Sequence, residues 1–167
     1  MRAKIAYSVL ACLTMAALFV PVSRPEDFVE YTKVGSEVPS FTLTTLDGRE
    51  FSTAAARGKV VLLNFWATWC PPCVIEMPRL EEEIWKEHRG PDFEMLAVAR
   101  EQTGAEIREY RDKNKYSFPM APDPRRAAFG KFANAGIPRN YVIGRDGRIL
   151  YQSVGYTPQD FAKMKRI

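Results

Sequence analysis

The apolar and polar positions divide the chain into an uncharged apolar run, a patternless charged stretch and a folded part with two periods. Residues 59–67, "KVVLLNFWA", form a continuous apolar run rich in strand formers, as in a central strand buried on both faces. From residue 71 to 88 the spacing changes to steps of three and four. Val74, Met77, Leu80, Ile84 and Trp85 mark one side of a helix there. Residues 92–100 read as the next strand, 104–115 as an amphipathic helix and 125–134 as a short one. Alternation around Asp47-Gly48 (40–52) and Asp146-Gly147 (140–155) predicts two hairpins, since Asp-Gly supplies the positive φ of tight hairpin turns. A last helix starts with Thr157 as N-cap and Pro158 in its first position. A β-α-β unit followed by β-β-α predicts an α/β fold, a central mixed β-sheet with helices on both faces and an N-terminal β-hairpin extension.

The apolar run at the start has its own logic. Arg2 and Lys4 precede residues 5–22, which carry no charge, and Arg24, Glu26 and Asp27 follow. Positive flank, apolar middle and polar exit are the parts of an export signal. The run has about the length of a membrane-crossing helix, roughly 20 residues. Pro21-Val22-Ser23 makes a poor cleavage triplet, so an anchor is favoured over a removed signal peptide. The positive flank predicts a cytoplasmic amino end and an exported remainder. Cys12, in "VLAC", offers lipid attachment, but the apolar run continues past it, which favours a small residue in a membrane segment. Residues 1–23 thus read as signal anchor or signal peptide, 24–36 as a linker and 37–167 as one folded domain.

Composition narrows the function. The 24 Lys and Arg against 20 Asp and Glu are interspersed, so no concentrated basic face exists and a nucleic-acid partner is not expected. Besides Cys12 the chain holds two cysteines, Cys70 and Cys73, in "WCPPC". A structural zinc needs four ligands, and the single histidine, His88, lies at the far end of the helix. Haem attachment needs a histidine where Val74 stands. A peroxidase with its reactive cysteine in a PxxxTxxC pattern would carry Thr or Ser in place of Ala67, three residues before Cys70. A bridge closing so short a loop restrains the unfolded chain little. Outside the cytoplasm a cysteine pair is most readily a redox centre. Copper(I), which suits two thiolates, stays as an alternative. No cofactor and no resident metal are called for.

Cys70 falls where the buried strand ends and the helix begins. Unpaired N–H groups and the helix dipole favour a thiolate there. Cys73 lies one turn further in. Cys70 is therefore read as the attacking thiol and Cys73 as the resolving one. Pro71 and Pro72 fit a first helical turn, whereas Pro78, inside the helix, costs about 3 kcal/mol and predicts a bend.

"GKVVLLNFWATWCPPCVIEMP", with "SEVPSFTLTTLDG" before it and "GIPRNYVIGRDGRI" after it, resembles the thioredoxin superfamily, and within it the TlpA/ResA-like branch of exported thiol-disulfide oxidoreductases. The resemblance covers roughly residues 35–165. It implies a thioredoxin-like fold, a redox-active Cys70–Cys73 disulfide, protein thiols and disulfides as substrates, and a membrane thiol-disulfide electron donor. The direction it implies is reduction of specific partners, apocytochrome c haem-site cysteines among them, with a disulfide donor or isomerase as the alternative. Pro138 matches the family's cis-proline, and the backbone of Ile137 is expected to pair with bound polypeptide. Trp69 is expected on an exposed apolar rim that receives substrate, and Trp66 in the core. Asn64 stands where cytoplasmic thioredoxins have a buried Asp that accepts a proton. Glu76, three residues after Cys73 and on the same helix face, is the candidate replacement, its pKa raised by burial. Glu81 to Glu83 read as solvated.

Overall fold

The computed structural model describes residues 28–167. The segment 5–22 and Cys12 lie outside the described residues, among which no helix is long and apolar enough to cross a membrane. The apolar run becomes β3 (Val60–Trp66), buried along nearly its whole length. It pairs in parallel with β4 (Phe93–Arg100) and antiparallel with β6 (Arg139–Ile143). The outer strands are β5 (Met120–Asp123), parallel to β4, and β7 (Ile149–Val154), antiparallel to β6, giving the order β5-β4-β3-β6-β7. A separate hairpin of β1 (Thr42–Thr44) and β2 (Glu50–Ser52) turns through Gly48 at φ +80°.

The two-residue period of the strands splits the core into two layers. Leu62, Trp66, Met95, Ala97 and Val142 face the helical side with Met77, Leu80, Ile107 and Phe161. Val61, Leu63, Phe65, Leu96 and Tyr141 face the other side, where Phe41, Phe51, Phe129 and Phe132 close over them. Aromatic edges fill that layer: the Phe65 ring lies 5.0 Å from Phe132 and 5.4 Å from Phe129.

The cysteine helix is continuous but not uniform. α1 (Pro71–Arg79) widens into a π-helical stretch (Leu80–Trp85) and ends in a last turn, α2 (Lys86–His88). The widening begins just after Pro78, whose missing N–H and bulky ring loosen the ladder. Within it the helical phase shifts. Glu81, expected in solvent, is buried, and its carboxylate accepts from the Ser117 N–H at 2.8 Å and hydroxyl at 2.6 Å. Val74, expected inward, is exposed, because Cys73, Glu76 and Met77 take the buried face of the first turns. α3 (Gly104–Asn114) opens with a Thr103–Glu106 capping box, and α4 (Pro158–Met164) with Thr157 accepting from the Asp160 N–H.

Other differences from the sequence reading are set by groups distant in the chain. β5 was hidden in "SFPMAPDP", where prolines argue against a central strand; it is an edge strand, which tolerates them. The short helix expected over 125–134 is only a 3-10 turn, Phe129–Lys131. The buried Asp123 carboxylate takes the N–H groups of Ala127, Ala128 and Phe129 at 2.7, 3.1 and 2.8 Å, and Arg126 is left-handed at φ 57°, so a regular helix cannot start. Residues 28–36, expected as a linker, are docked: Glu30 bridges Ala133, and Thr32 is buried. Replacing Asp123 by Ala orphans three N–H groups, two of them, at Ala128 and Phe129, buried. We expect a loss of about 3 kcal/mol, read as a lower urea midpoint at unchanged slope.

Candidate active site

Trp66 ends β3, and the chain turns through Ala67, Thr68 and Trp69 to reach the helix. The turn is pinned by Gln102 from the loop after β4: its Oε1 accepts the Thr68 N–H at 2.8 Å and its amide donates to the Thr68 hydroxyl at 2.6 Å. Cys70 is the N-cap of α1, with Pro71 and Pro72 in the first positions, and its sulfur accepts from the Cys73 N–H at 3.4 Å. Cys70 and Cys73 form a disulfide with Cα atoms 5.3 Å apart. Both are buried as residues.

Two features face the pair from opposite directions. Outside, the Ile137–Pro138 peptide bond is cis, and the Ile137 carbonyl oxygen lies 3.7 Å from the Cys70 sulfur. Trp69 (58% exposed), Val74 and Ile75 (60%), which flank the cysteines in the chain, are exposed apolar side chains. The Arg100 guanidinium sits 5.8 Å from the Trp69 ring centre, within cation–π reach. Trp66 is fully buried.

Inside, Glu76 lies one turn beyond Cys73 on the buried face of α1, 2% exposed. Each carboxyl oxygen accepts an amide N–H: Oε1 from Asn140 at 2.6 Å and Oε2 from Asn64 at 3.2 Å. The same Asn64 amide donates to Asn140 Oδ1 at 2.8 Å. Asn64 and Asn140 are direct partners across the β3–β6 ladder, so the sheet itself presents both amides to the helix. Burial pushes the Glu76 pKa up to about 7; the two amides and the more distant Arg79 charge pull it down, but less. A carboxyl poised near neutrality can take up and release a proton under ordinary conditions.

The structure thus brings Trp69, Cys70, Cys73, Ile137 and Pro138 to one surface and sets Glu76 beneath it. His88 is exposed at the other end of the helix. Sequence reasoning missed Asn140 and Gln102. Asn140 left a trace, an amide between Pro138 and the apolar "YVI", at a position where a buried strand has no use for a polar side chain unless it has a partner. Gln102 left none.

A cysteine pair at a helix start, opposite a cis-proline loop on a sheet of this order, defines a thiol-disulfide oxidoreductase of thioredoxin-like fold. The Redoxin family model matches residues 33–167, and the chain belongs to that family, on its ResA/TlpA-like branch. It is 31% identical over 144 residues to thiol-disulfide oxidoreductase ResA of Geobacillus thermodenitrificans, spanning 85% of this chain and 82% of that one. It is 30% identical over 126 residues to ResA of Bacillus anthracis, 75% and 72% of the two chains. Among solved structures, a protein assigned as a disulfide isomerase from Bacteroides thetaiotaomicron superposes with TM-score 0.78 at 32% identity, covering 83% of this chain and 88% of that one. A protein described as the thiol:disulfide interchange protein DsbE of Chlorobium tepidum follows with TM-score 0.69 at 26% identity, covering 80% and 94%.

The buried carboxyl has a stability signature. Between about pH 4.5 and 7 the folded protein keeps a proton on Glu76 that the unfolded chain has released. Stability therefore falls as pH rises through that window, and the loss, about 3 kcal/mol, is complete above it. Glu76→Gln should flatten this slope, and urea unfolding at several pH values from 4 to 8 reads the difference.

Proposed function

We propose that this oxidoreductase is exported, is tethered to the cytoplasmic membrane through residues 5–22, and reduces disulfides of specific partner proteins on the outer side. Apocytochrome c haem-site cysteines, in cytochrome c maturation, are candidate substrates, and a membrane thiol-disulfide protein is the electron donor. The Cys70–Cys73 pair opposite the cis-proline loop carries this reading. The charge layout of the first residues supports export, and the branch to which the chain belongs supports the reducing direction.

In the reduced protein the Cys70 thiolate attacks one sulfur of the partner's disulfide. A Cys70–partner disulfide forms, and the other partner sulfur leaves as a thiolate and takes a proton from water. Glu76, as carboxylate, accepts the Cys73 proton. The Cys73 thiolate attacks the Cys70 sulfur, the Cys70–Cys73 disulfide closes, and the second partner sulfur departs, protonated at the expense of Glu76 or water. The partner gains two electrons and two protons, and the membrane donor restores the dithiol. The exposed Trp69, Val74 and Ile75 side chains supply apolar contact area, and the Ile137 backbone supplies polar pairing, for an extended segment around the partner cysteine.

Equilibration of the protein with thiol buffers measures the direction. A potential near about −270 mV supports a reductant, and one near about −120 mV makes it a disulfide donor. A pair that stayed reduced under all buffers would move copper(I) binding forward. Cys73→Ser should accumulate the Cys70–partner disulfide on a non-reducing gel, and Cys70→Ser should not. Glu76→Gln should slow closure of the Cys70–Cys73 disulfide at neutral pH by about 100-fold while leaving the first attack little changed, as stopped-flow Trp fluorescence can resolve.

A further inference from the structure

On the face of β6 opposite Asn140 lies Arg139, next to Pro138, and its side chain is completely buried (0% exposed). A buried guanidinium is costly unless its donors are taken up. Its Nε donates to the carbonyls of Ala135 (3.1 Å) and Gly136 (3.0 Å), and its Nη2 to Ala135 again (3.0 Å). Its Nη1 donates to the Tyr141 hydroxyl at 3.3 Å and to the Glu30 carboxylate at 3.0 Å. Among the described residues, Glu30 is the acid that pairs with it. The Phe28 ring covers the guanidinium at 4.7 Å.

Both covering residues come from the segment expected as a linker. That segment is fastened along the loop before Pro138. The Tyr31 N–H donates to the Phe132 carbonyl at 2.8 Å, the Val29 N–H to Asn134 Oδ1 at 2.8 Å, and the Asn134 N–H to the Val29 carbonyl at 3.2 Å. Gln152 from β7 holds the other oxygen of Glu30 at 2.7 Å. Gly136 shows how close the fit is. Its φ is +82°, and a Cβ there would stand 2.4 Å from Phe28 Cε2.

We propose that Arg139 is a positioning residue for thiol-disulfide exchange. Clamped by Glu30 and Phe28, it fixes the Ala135 and Gly136 carbonyls and thereby the Ile137 backbone that receives the partner polypeptide beside Cys70. The proposal rests on the reading of Ile137 as the pairing site. The guanidinium grips two successive peptide groups just before Ile137, so it removes the freedom that loop would otherwise lose on binding. It lies across the sheet from Glu76 and the amides, so it leaves the chemistry of the cysteines alone. Lysine cannot replace it, because a single ammonium has no planar fork to hold two carbonyls and a carboxylate at once.

The test uses the full chain carrying Cys12→Ala and Cys73→Ser, so that Cys70 is the single thiol, reacts once and stops. Two probes are compared: N-acetylcysteine amide and a hexapeptide with a central cysteine, both activated as thionitrobenzoate mixed disulfides. The Cys70 thiolate displaces thionitrobenzoate, whose absorbance reports the rate, and a disulfide to the probe cysteine forms. The unmodified loop should favour the hexapeptide. Glu30→Gln and Arg139→Lys should each reduce that preference by about tenfold with the rate toward N-acetylcysteine amide unchanged. A preference that survives both substitutions, or two rates that fall together, overturns the proposal. Should Arg139→Lys fail to fold, Glu30→Gln, which leaves the guanidinium in place, decides alone. Absence of any peptide preference before either substitution removes the pairing role of Ile137 itself, and is seen separately from the variants.

Discussion

A carboxyl group kept out of water sets the terms for much of this molecule. Glu76 is the point where the cysteine helix is hydrogen-bonded to the sheet, through one amide from β3 and one from β6. Burying a carboxylate there without donors would be prohibitive, and burying it with stronger donors would lock it in the charged form. Two neutral amides leave it between these limits. The arrangement demands that Asn64 and Asn140 face each other across the ladder, which fixes the β3–β6 register, and that α1 lie on that side of the sheet with Glu76 pointing down. Cys73, one turn earlier, is then carried to the same buried face, and Cys70 to the helix start.

β6 serves both halves of the site through its alternation. Asn140 and Val142 point to the helical layer; Arg139 and Tyr141 point to the aromatic layer. The first face adjusts the proton chemistry beneath the cysteines. The second anchors the loop that borders them. One short strand immediately after Pro138 therefore ties the reacting sulfurs to a buried carboxyl on one side and to the N-terminal strap on the other. The π-helical stretch after Pro78 belongs to the same economy of space: by turning Glu81 inward onto Ser117, it fastens the far half of the cysteine helix to the chain leading into β5.

Where local pattern and tertiary environment agree, the sequence could be read. The apolar run of β3, the Asp-Gly turns, the Thr157-Pro158 helix start and the Cys70–Cys73 spacing each carry a signal set by neighbours in the chain. Where a distant group decides, the reading failed. Asp123 takes the N–H groups that a helix over 125–134 would need, and β5 passes as a loop because its prolines are acceptable only at an edge. Glu81 turns inward because helical phase depends on a widening that no periodic template contains, and Val74 turns outward because the site, through Cys73 and Glu76, sets the buried face of the first turns.

The sequence alone determined the dithiol, its place at a strand-to-helix junction and the mixed α/β order of elements, since these follow from residue type and spacing; its resemblance to the thioredoxin superfamily added the candidate proton acceptor. Only the tertiary structure decided that Glu76 is buried with both oxygens held by amides, that Asn140 is one of the holders, and that a charged stretch near the amino end is a strap on the loop beside the cysteines. The physical reason is that hydrogen bonds to a buried charge need convergence of groups far apart in the chain. Glu76 with Asn140, and Glu30 with Arg139, meet only after the sheet has formed.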